Sequence, residues 1–183
     1  MHSPERAKPI EIQVVNSVTL SPSLREEIIA LCNRAYEEDL EPLFETFTGA
    51  VHLLGYCESI LVSHALWVRR YLQAGTGPLM RTAYVEALAT EAGYRGRGYA
   101  AALLKTLIGE VQAYDLAALS PSDAGYYRRL DWELWRGPLF IRENGSLLPS
   151  PDDEEVMIYR LPKTPALDIN DPLSAEWREG ELW

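Results

Sequence analysis

The sequence contains little cysteine and no long apolar run. Its two cysteines, Cys32 and Cys57, are too few for a disulfide framework and are not spaced as metal ligands. We therefore expect free thiols in a reducing, cytoplasmic setting. No apolar segment approaches the roughly 18 residues that a transmembrane helix needs. The first residues, MHSPERAKPIEIQ, lack the apolar core of a secretory signal. The sequence predicts no association with a membrane.

Positive charge is also scarce. Lysine and arginine number 17 against 27 aspartates and glutamates, which gives a formal net charge of −10. This excess disfavours non-specific nucleic-acid binding and favours cationic ligands. His52 and His64 lie in predicted strands without partners at ligand spacing, so we expect packed or surface histidines and no metal site. A chain of 183 residues that is 47% apolar is large enough for one domain over residues 1–183.

The N-terminal half of the chain predicts strands with one helix among them. Alternating apolar residues predict strands at 10–16, 50–57, 60–71 and 79–90, with the second and third forming a hairpin. A helix is expected to begin with Ser21 as its N-cap and Pro22 at its first position, with a Ser23–Glu26 capping box as the alternative. The acidic link that follows, EEDLEPLFETFTG, is either a loop or a broken second helix.

The C-terminal half changes to a mixed pattern. GYAAALLKTLIGEVQAYD predicts a helix, LAALS a buried strand, and SDAGYYRRLDW a short helix. ELWRGPLFIRENG predicts a hairpin, and EVMIYRLP a late strand. Consecutive strands followed by strand, helix, strand and helix favour an α/β (α+β) fold in which helices pack on a mixed sheet.

A basic glycine turn, Arg95-Gly96-Arg97-Gly98-Tyr99-Ala100, separates the fourth strand from the helix. Backbone N–H groups at a helix N-terminus attract anions, and glycine lets a phosphate approach the backbone closely. Two guanidinium groups suit phosphate geometry. The alternative is a surface turn with solvated arginines. Neither the dinucleotide-binding fingerprint nor the Walker A pattern is matched.

Two motifs resemble the GNAT acetyltransferase superfamily. Arg95-x-x-Gly98-x-Ala100, between a strand and a helix, is similar to its pyrophosphate-binding motif. AGYYRRLDW is similar to a later segment of that superfamily, with Tyr127 at the family's tyrosine. Asp131 stands where glycine is usual, and Asp tolerates a left-handed conformation better than most residues.

Three further segments resemble the aminoglycoside 2'-N-acetyltransferases. They are YVEALAT, AALSPS and the tail LPKTPALDINDPLSAEWREGELW, since those enzymes also end in Trp-Arg-x-Gly-acidic-x-Trp. The resemblance covers most of residues 50–183 and implies a single GNAT domain with a splayed mixed sheet. It further implies acetyl-CoA as cofactor, a homodimer, polycationic aminoglycosides as substrates, and direct transfer of the acetyl group.

The resemblance assigns roles to individual residues. Glu86 matches the proposed base, which acts through water; the alternative for an isolated glutamate in a strand is an exposed position. Tyr127 would protonate the leaving thiolate of CoA, or else be a core tyrosine. Ser120 would contact the pantetheine or sulfur, although Ser120 and Ser122 are also candidate helix caps. The backbone of Leu88, Ala89 and Thr90 would meet the pantetheine arm, and the turn 95–100 the pyrophosphate.

Acidic residues point to the acceptor. The last 32 residues hold nine Asp or Glu against three Lys or Arg. A solvated acidic tail is the alternative, but the tail (about 163–183) ends in Trp183, which favours docking on the domain. We expect its carboxylates to bind ammonium groups. The predicted acceptor-binding residues are Asp39, Glu86, Asp153, Glu181 and Trp183, with Glu38 beside Asp39 in the acidic link.

Two other functions fit the same residues. One is a GNAT enzyme for another polyamine or amino sugar. The other is a module that binds CoA or drug without turnover, against which the presence of both Glu86 and Tyr127 speaks.

Overall fold

A computed structural model of the chain describes residues 9–183, which form a mixed sheet with helices on it. The expectation that the chain has no secretory signal concerns residues 1–13, and the first eight of these lie outside the described part. The helices are α1 (Pro22–Tyr36), α2 (Glu41–Thr46), α3 (Tyr99–Glu110) and α4 (Ala124–Arg128). The strands are β1 (Glu11–Asn16), β2 (Val51–Cys57), β3 (Ile60–Ala74), β4 (Met80–Thr90), β5 (Leu116–Leu119), β6 (Glu133–Leu134), β7 (Leu139–Glu143), β8 (Ser146–Pro149), β9 (Met157–Arg160) and β10 (Leu173–Glu176).

The sheet is mixed, as the sequence predicts. Its order is β6-β9-β5-β4-β3-β10-β7-β8, and β2, with β1 at its side, pairs with the first half of β3. The pairs β4–β5 and β7–β10 are parallel, whereas the other pairs are antiparallel. The long strand β3 therefore holds β2 and β10 along one edge and β4 along the other.

The two faces of the sheet carry separate apolar clusters. Alternation along β2 sends Leu54 to the face that α1 covers and Leu53 to the face that α3 covers. On the first face, Ile28 and Leu31 of α1 are fully buried, and on the second Leu107 of α3 is fully buried. Each helix thus buries one apolar stripe against the sheet, which is the arrangement that an amphipathic pattern predicts.

Several local predictions are confirmed. Ser21 caps α1, because its Oγ accepts a hydrogen bond of 3.2 Å from the backbone N–H of Leu24. The acidic link contains the short helix α2. Asp131 has φ 66°, in the left-handed region that its place after α4 requires.

The predicted hairpin over residues 133–145 is wrong. Glu133–Leu134 pairs with β9, and the hairpin joins β7 to β8 through Asn144-Gly145, both of which have positive φ. The asparagine–glycine pair is the typical signal of a two-residue hairpin turn, so it marks the middle of the hairpin and not its end. Strand β10, which lies inside the predicted tail, has no counterpart among the predictions.

Candidate active site

The sheet opens where β4 and β5 diverge. Their parallel pairing ends at Val85 and Leu119, whereas β4 itself continues to Thr90. A β-bulge lies in the same place. Between the pairs Leu66–Glu86 and His64–Ala89, β4 has two residues, Ala87 and Leu88, whereas β3 has one, Ala65. Bulges bend a strand and increase its twist. The divergence and the bulge together create a cleft over the end of β5.

Side chains satisfy the carbonyl groups that the bulge removes from the ladder. His64 Nδ1 donates to the carbonyl of Ala87 at 2.9 Å, and the Tyr36 hydroxyl donates to the carbonyl of Leu88 at 3.0 Å. His52 Nδ1 lies 3.0 Å from His64 Nε2. Burial lowers the pKa of His64 to about 3 and that of His52 to about 4, so both rings are neutral at pH 7. Ala87, with φ 49°, is held in a left-handed conformation by these contacts.

A cavity of about 260 Å³ lies in this cleft. Its walls come from α1, the acidic link, β4, the end of β5, α4 and residues 177–183, which follow β10 and are called the C-terminal segment below. The residues that line it include seven with a carboxyl or hydroxyl group: Tyr36, Glu38, Glu86, Ser120, Ser122, Tyr127 and Glu181. Leu88 also lines it. The cavity thus combines three carboxylates with two phenols.

Glu86 is the buried carboxyl of this cavity. Its side chain is 9% exposed, and its Oε1 accepts a hydrogen bond from Arg178 Nη2 at 2.5 Å. Burial raises the pKa of Glu86 to about 7, although the charge of Arg178 opposes that rise. A carboxyl that titrates near neutrality is suited to take a proton at physiological pH, which is the property of a general base.

Tyr127 faces the same cavity from α4. Asp123, and neither Ser120 nor Ser122, caps this helix, because its Oδ1 accepts from the backbone N–H of Gly125 at 2.9 Å. The tyrosine is buried, and burial raises the pKa of its hydroxyl to about 12, while a hydrogen bond with Ser122 acts in the opposite direction. The phenol therefore stays protonated at pH 7 and has a proton to give.

The C-terminal segment is anchored by two arginines. Arg70, which is 1% exposed, donates to the carbonyls of Leu182 at 2.6 Å and Glu176 at 2.7 Å. Arg178 Nε donates to the carbonyl of Glu181. These contacts hold the last residues over the sheet and bring Glu181 to the cavity.

Trp183 closes the segment. Its ring is 3% exposed, and its indole N–H donates to Ser150 Oγ at 2.7 Å. A buried tryptophan with a satisfied N–H packs this part of the chain on the core.

A second cavity, of about 340 Å³, lies at the start of α3. The predicted cofactor residues among those that line it are Thr90, Arg95, Gly96, Gly98, Tyr99 and Ala100. Gly96 and Gly98 have φ of 75° and 81°, and a Cβ on either would meet no atom within 4 Å. The backbone of this turn is therefore open to a ligand at the N-terminus of a helix, where anions bind.

The two arginines of the turn bind backbone carbonyls. Arg95 Nη2 donates to Ala35 at 3.0 Å and its Nε donates to Thr90 at 3.2 Å. Arg97 Nη2 donates to Gly93 at 3.0 Å. Both guanidinium groups thus fix the shape of the turn while adding positive charge beside it.

Comparison with known proteins identifies the chain. The family model for the acetyltransferase (GNAT) domain matches residues 19–135. The chain belongs to the GNAT acetyltransferase family. An aminoglycoside 2'-N-acetyltransferase from Mycolicibacterium fortuitum is 31% identical to it over 179 residues, which cover 93% of this chain and 91% of that protein.

Solved structures share the fold of this acetyltransferase. The GNAT family N-acetyltransferase YhbS from Escherichia coli, in complex with CoA, has a TM-score of 0.65 and 18% identity over 97% of this chain and 94% of that one. Eis1 from Mycobacterium abscessus has a TM-score of 0.60 and 18% identity, and the match covers 71% of this chain but only 32% of Eis1.

The acetyltransferase brings most of the predicted catalytic and cofactor residues to these two cavities. Five residues with predicted catalytic or binding roles, Glu86, Leu88, Ser120, Tyr127 and Glu181, line the first. The carbonyl of Ala89 is bound by Ser63 Oγ at 2.9 Å, beside the second cavity.

Other predicted acceptor-binding residues of the acetyltransferase lie elsewhere. Asp39 Oδ1 accepts from the backbone N–H of Glu41, the first residue of α2, at 3.1 Å. Glu38 is the acidic residue of that link which lines the cavity. Asp153 is exposed and is not among the residues that line the cavity. Trp183 anchors the chain through its ring. The acceptor-binding roles of Asp39, Asp153 and Trp183 stay predictions.

Sequence reasoning missed two residues of the acetyltransferase's cleft, Tyr36 and Arg178. The Trp-Arg-x-Gly-acidic-x-Trp motif contains Arg178 and was a usable signal, whereas nothing in the local sequence marks Tyr36.

Both cysteines are buried and form no disulfide. Over residues 9–183, no cluster of three or more His, Cys, Asp or Glu could hold a metal ion. Within that same range, no helix has the length and apolar character to span a membrane.

Proposed function

We propose that this acetyltransferase moves an acetyl group from acetyl-CoA to the 2'-amine of an aminoglycoside. The observation that carries the proposal is one cavity that joins a carboxyl titrating near pH 7 to a protonated phenol and two further carboxylates. The 31% identical aminoglycoside 2'-N-acetyltransferase supports the choice of acceptor.

The glycine turn fits acetyl-CoA. Its open backbone at Gly96 and Gly98 leaves room for a pyrophosphate, and the positive end of α3 stabilises negative charge there. Thr90, Tyr99 and Ala100 also line that cavity. Acetyl-CoA, when bound, supplies the acetyl thioester, and Leu88 at the bulge lies between the turn and the acid–base pair along β4.

The acid–base pair handles two protons. Glu86, acting through water, accepts the proton that the acceptor amine loses as its nitrogen forms the amide bond. The Tyr127 hydroxyl donates a proton to the sulfur as the thioester bond breaks. No covalent enzyme intermediate is needed, because both substrates meet in one cleft.

The carboxylates select a cationic acceptor. Glu38 and Glu181 are exposed at the cavity, whereas Glu86 lies deeper. An aminoglycoside carries several ammonium groups, and charge-assisted hydrogen bonds to carboxylates each contribute about 1.5–3 kcal/mol. On this proposal, Glu38 and Glu181 bind the acceptor and Glu86 takes its proton.

A thiol-release assay with purified protein and acetyl-CoA tests the proposal. The acceptors are aminoglycosides with a 2'-amine, linear polyamines and simple amino sugars, ranked by kcat/KM. Aminoglycosides ranking first supports the proposal. Polyamines or amino sugars ranking first favours the alternative acceptor class, and release from none favours a binding module.

The assembly and location of the protein are further proposals. We propose that residues 1–183 act as one domain, that the protein is a homodimer and that it is cytoplasmic. Two unpaired cysteines fit a reducing compartment. Tyr71 and Leu147, which are 40% and 59% exposed, offer apolar contacts to a second copy. Light scattering measures the mass in solution.

Gly98→Val is expected to weaken acetyl-CoA binding at least about tenfold, or about 1.4 kcal/mol. A branched side chain would enter the open space above the turn and would also strain a backbone with φ 81°. Calorimetry measures the affinity. Gly93→Val is the matched control, because a Cβ there also meets open space but φ lies outside the left-handed region. Undiminished affinity in folded Gly98→Val protein would remove this turn from the cofactor site.

Tyr127→Phe is expected to lower kcat about 100-fold if proton transfer limits turnover. The ring and its packing against Trp132 are kept, and only the proton donor is lost. Single-turnover rates separate chemistry from product release, and acetyl-CoA affinity should stay unchanged. Tyr159→Phe is the matched control, because it also removes a hydroxyl from a ring that packs against Trp132 but lines neither cavity. A wild-type single-turnover rate in Tyr127→Phe would contradict the assignment.

A further inference from the structure

A single guanidinium group joins the proposed base to the end of the chain. Arg178 Nη2 donates to Glu86 Oε1 at 2.5 Å, and its Nε donates to the backbone carbonyl of Glu181. Its Cζ lies 5.4 Å from the centre of the Tyr84 ring. The Arg178 side chain is 17% exposed, so this ion pair is shielded from solvent.

This cation contacts a carboxyl that lines an acidic cavity. A partly buried arginine at that place repels the ammonium groups of a cationic acceptor, and a site that only had to bind cations would bind them more tightly without it. Burial alone favours the neutral, protonated form of Glu86, which accepts no proton from an amine. An opposite charge within hydrogen-bond distance favours the carboxylate.

We propose that Arg178 is a positioning residue, which holds the Glu86 carboxylate ready to accept a proton and makes that readiness depend on the docked C-terminal segment. The inference rests on the proposed function of Glu86 as base. It gives the arginine of the Trp-Arg-x-Gly-acidic-x-Trp motif a role in the proton transfer at Glu86, which lies 92 residues earlier in the chain.

The other groups around Glu86 do not replace Arg178. Arg70 is the second cation near it, but its Nη1 and Nη2 both donate to backbone carbonyls. Glu181 raises the pKa of Glu86, because like charges repel. The remaining titratable groups that face it are Glu38, Tyr36, Tyr84 and Tyr127. Arg178 is therefore the cation in direct contact with the carboxylate.

Arg178→Met tests the inference, since methionine keeps much of the volume and removes the charge. Carbon-13 NMR of labelled glutamate, assigned with Glu86→Gln, follows the Glu86 carboxyl in the free protein. The wild-type carboxyl is expected to titrate near pH 7. In Arg178→Met its pKa should rise by about 1–3 units, the usual effect of losing an adjacent opposite charge.

Two further variants make the comparison specific. Arg178→Lys keeps a positive charge but lacks the planar guanidinium that donates in two directions. In this variant the pKa of Glu86 should lie between its values in the wild type and in Arg178→Met. Arg136→Met removes an exposed arginine outside the residues that line the cavity and should leave the pKa of Glu86 unchanged.

Thermal unfolding gives a readout that does not depend on activity or acetyl-CoA. When the pKa of a carboxyl is higher in the folded protein than its unfolded value of about 4.5, the free energy of unfolding falls as the pH rises between those two values. A higher folded pKa in Arg178→Met extends that loss. The difference in Tm between wild type and Arg178→Met should therefore widen from pH 5 to pH 9.

The outcomes separate this inference from the proposed function. With the acceptor that the thiol-release assay identifies, the acid limb of kcat/KM in Arg178→Met should move to higher pH by the same interval as the NMR titration. An unmoved Glu86 titration overturns the inference, whatever the activity. A moved titration with an unmoved acid limb overturns Glu86 as the base, while the link between Arg178 and Glu86 stands.

Discussion

Replacing Glu86 by Gln is expected to lower kcat about 100-fold or more, the usual contribution of a general base. The amide keeps the shape of the side chain, and its oxygen still accepts from Arg178, so the C-terminal segment should stay docked. Acetyl-CoA affinity should be nearly unchanged, because Glu86 does not line the cofactor cavity. Single-turnover kinetics measures the chemical step directly.

The pH profile of the wild-type enzyme belongs to the same expected result. Glu86 must be ionised to accept a proton, and burial raises its pKa to about 7. The value of kcat/KM should therefore rise as the pH increases through about 7 and lose this limb in Glu86→Gln. The control is Glu38→Gln, which removes an exposed carboxylate of the same cavity and should raise KM with little change in kcat. A wild-type single-turnover rate in Glu86→Gln would rule out this base.

Deleting Glu181-Leu182-Trp183 is expected to weaken acceptor binding about tenfold to several hundredfold and to spare acetyl-CoA binding. The deletion removes the Glu181 carboxylate from the cavity. Binding of the acceptor should also weaken with added salt, because Glu181 is exposed and its ion pairs are screened. Calorimetry with each ligand measures both affinities.

The same deletion should also cost stability. It removes the buried Trp183 ring, a loss of about 3–5 kcal/mol for an aromatic core residue. It further takes the Leu182 carbonyl from the buried Arg70. Glu181→Gln isolates the charge and should weaken binding without lowering the Tm, whereas Trp183→Phe isolates the packing. Full acceptor affinity in Glu181→Gln would remove this carboxylate from the acceptor site.

Local signals in the sequence predicted the parts of the fold that depend on near neighbours. The Ser21-Pro22 pair predicted the start of α1, because a cap and a first-turn proline act within four residues. The change from alternation to helical spacing at Gly98 predicted both β4 and α3. The family resemblance then pointed to the cleft between β4 and β5.

Long-range pairing was not predictable in this way. Strand β10 is four residues long and has partners in β3 and β7 that lie far away in the chain. Arg69 and Arg70 are adjacent in β3, where alternation exposes the first residue and buries the second. The acceptors of Arg70 are the carbonyls of Glu176 in β10 and of Leu182, which lie more than 100 residues later in the chain.

The site shows the same division. Glu86 and Tyr127 followed from the motifs, and the structure brings both to one cavity. Of the adjacent Glu38 and Asp39, only the first lines that cavity, and Asp39 instead accepts from the backbone N–H of Glu41 at the start of α2. The pairing of Arg178 with Glu86 joins residues on separate elements, so spacing in the sequence carries no trace of it.

The most direct test of the central claim is the position of the acetyl group in the product. Kanamycin B and kanamycin A form a matched pair, since the first bears an amine at the 2' position and the second a hydroxyl. With each drug and acetyl-CoA, two-dimensional NMR locates the acetylated nitrogen. The account predicts acetylation of kanamycin B at the 2'-nitrogen and no acetylation of kanamycin A at 2'. Acetylation of kanamycin B at another nitrogen, or equal turnover of the two drugs, would contradict it.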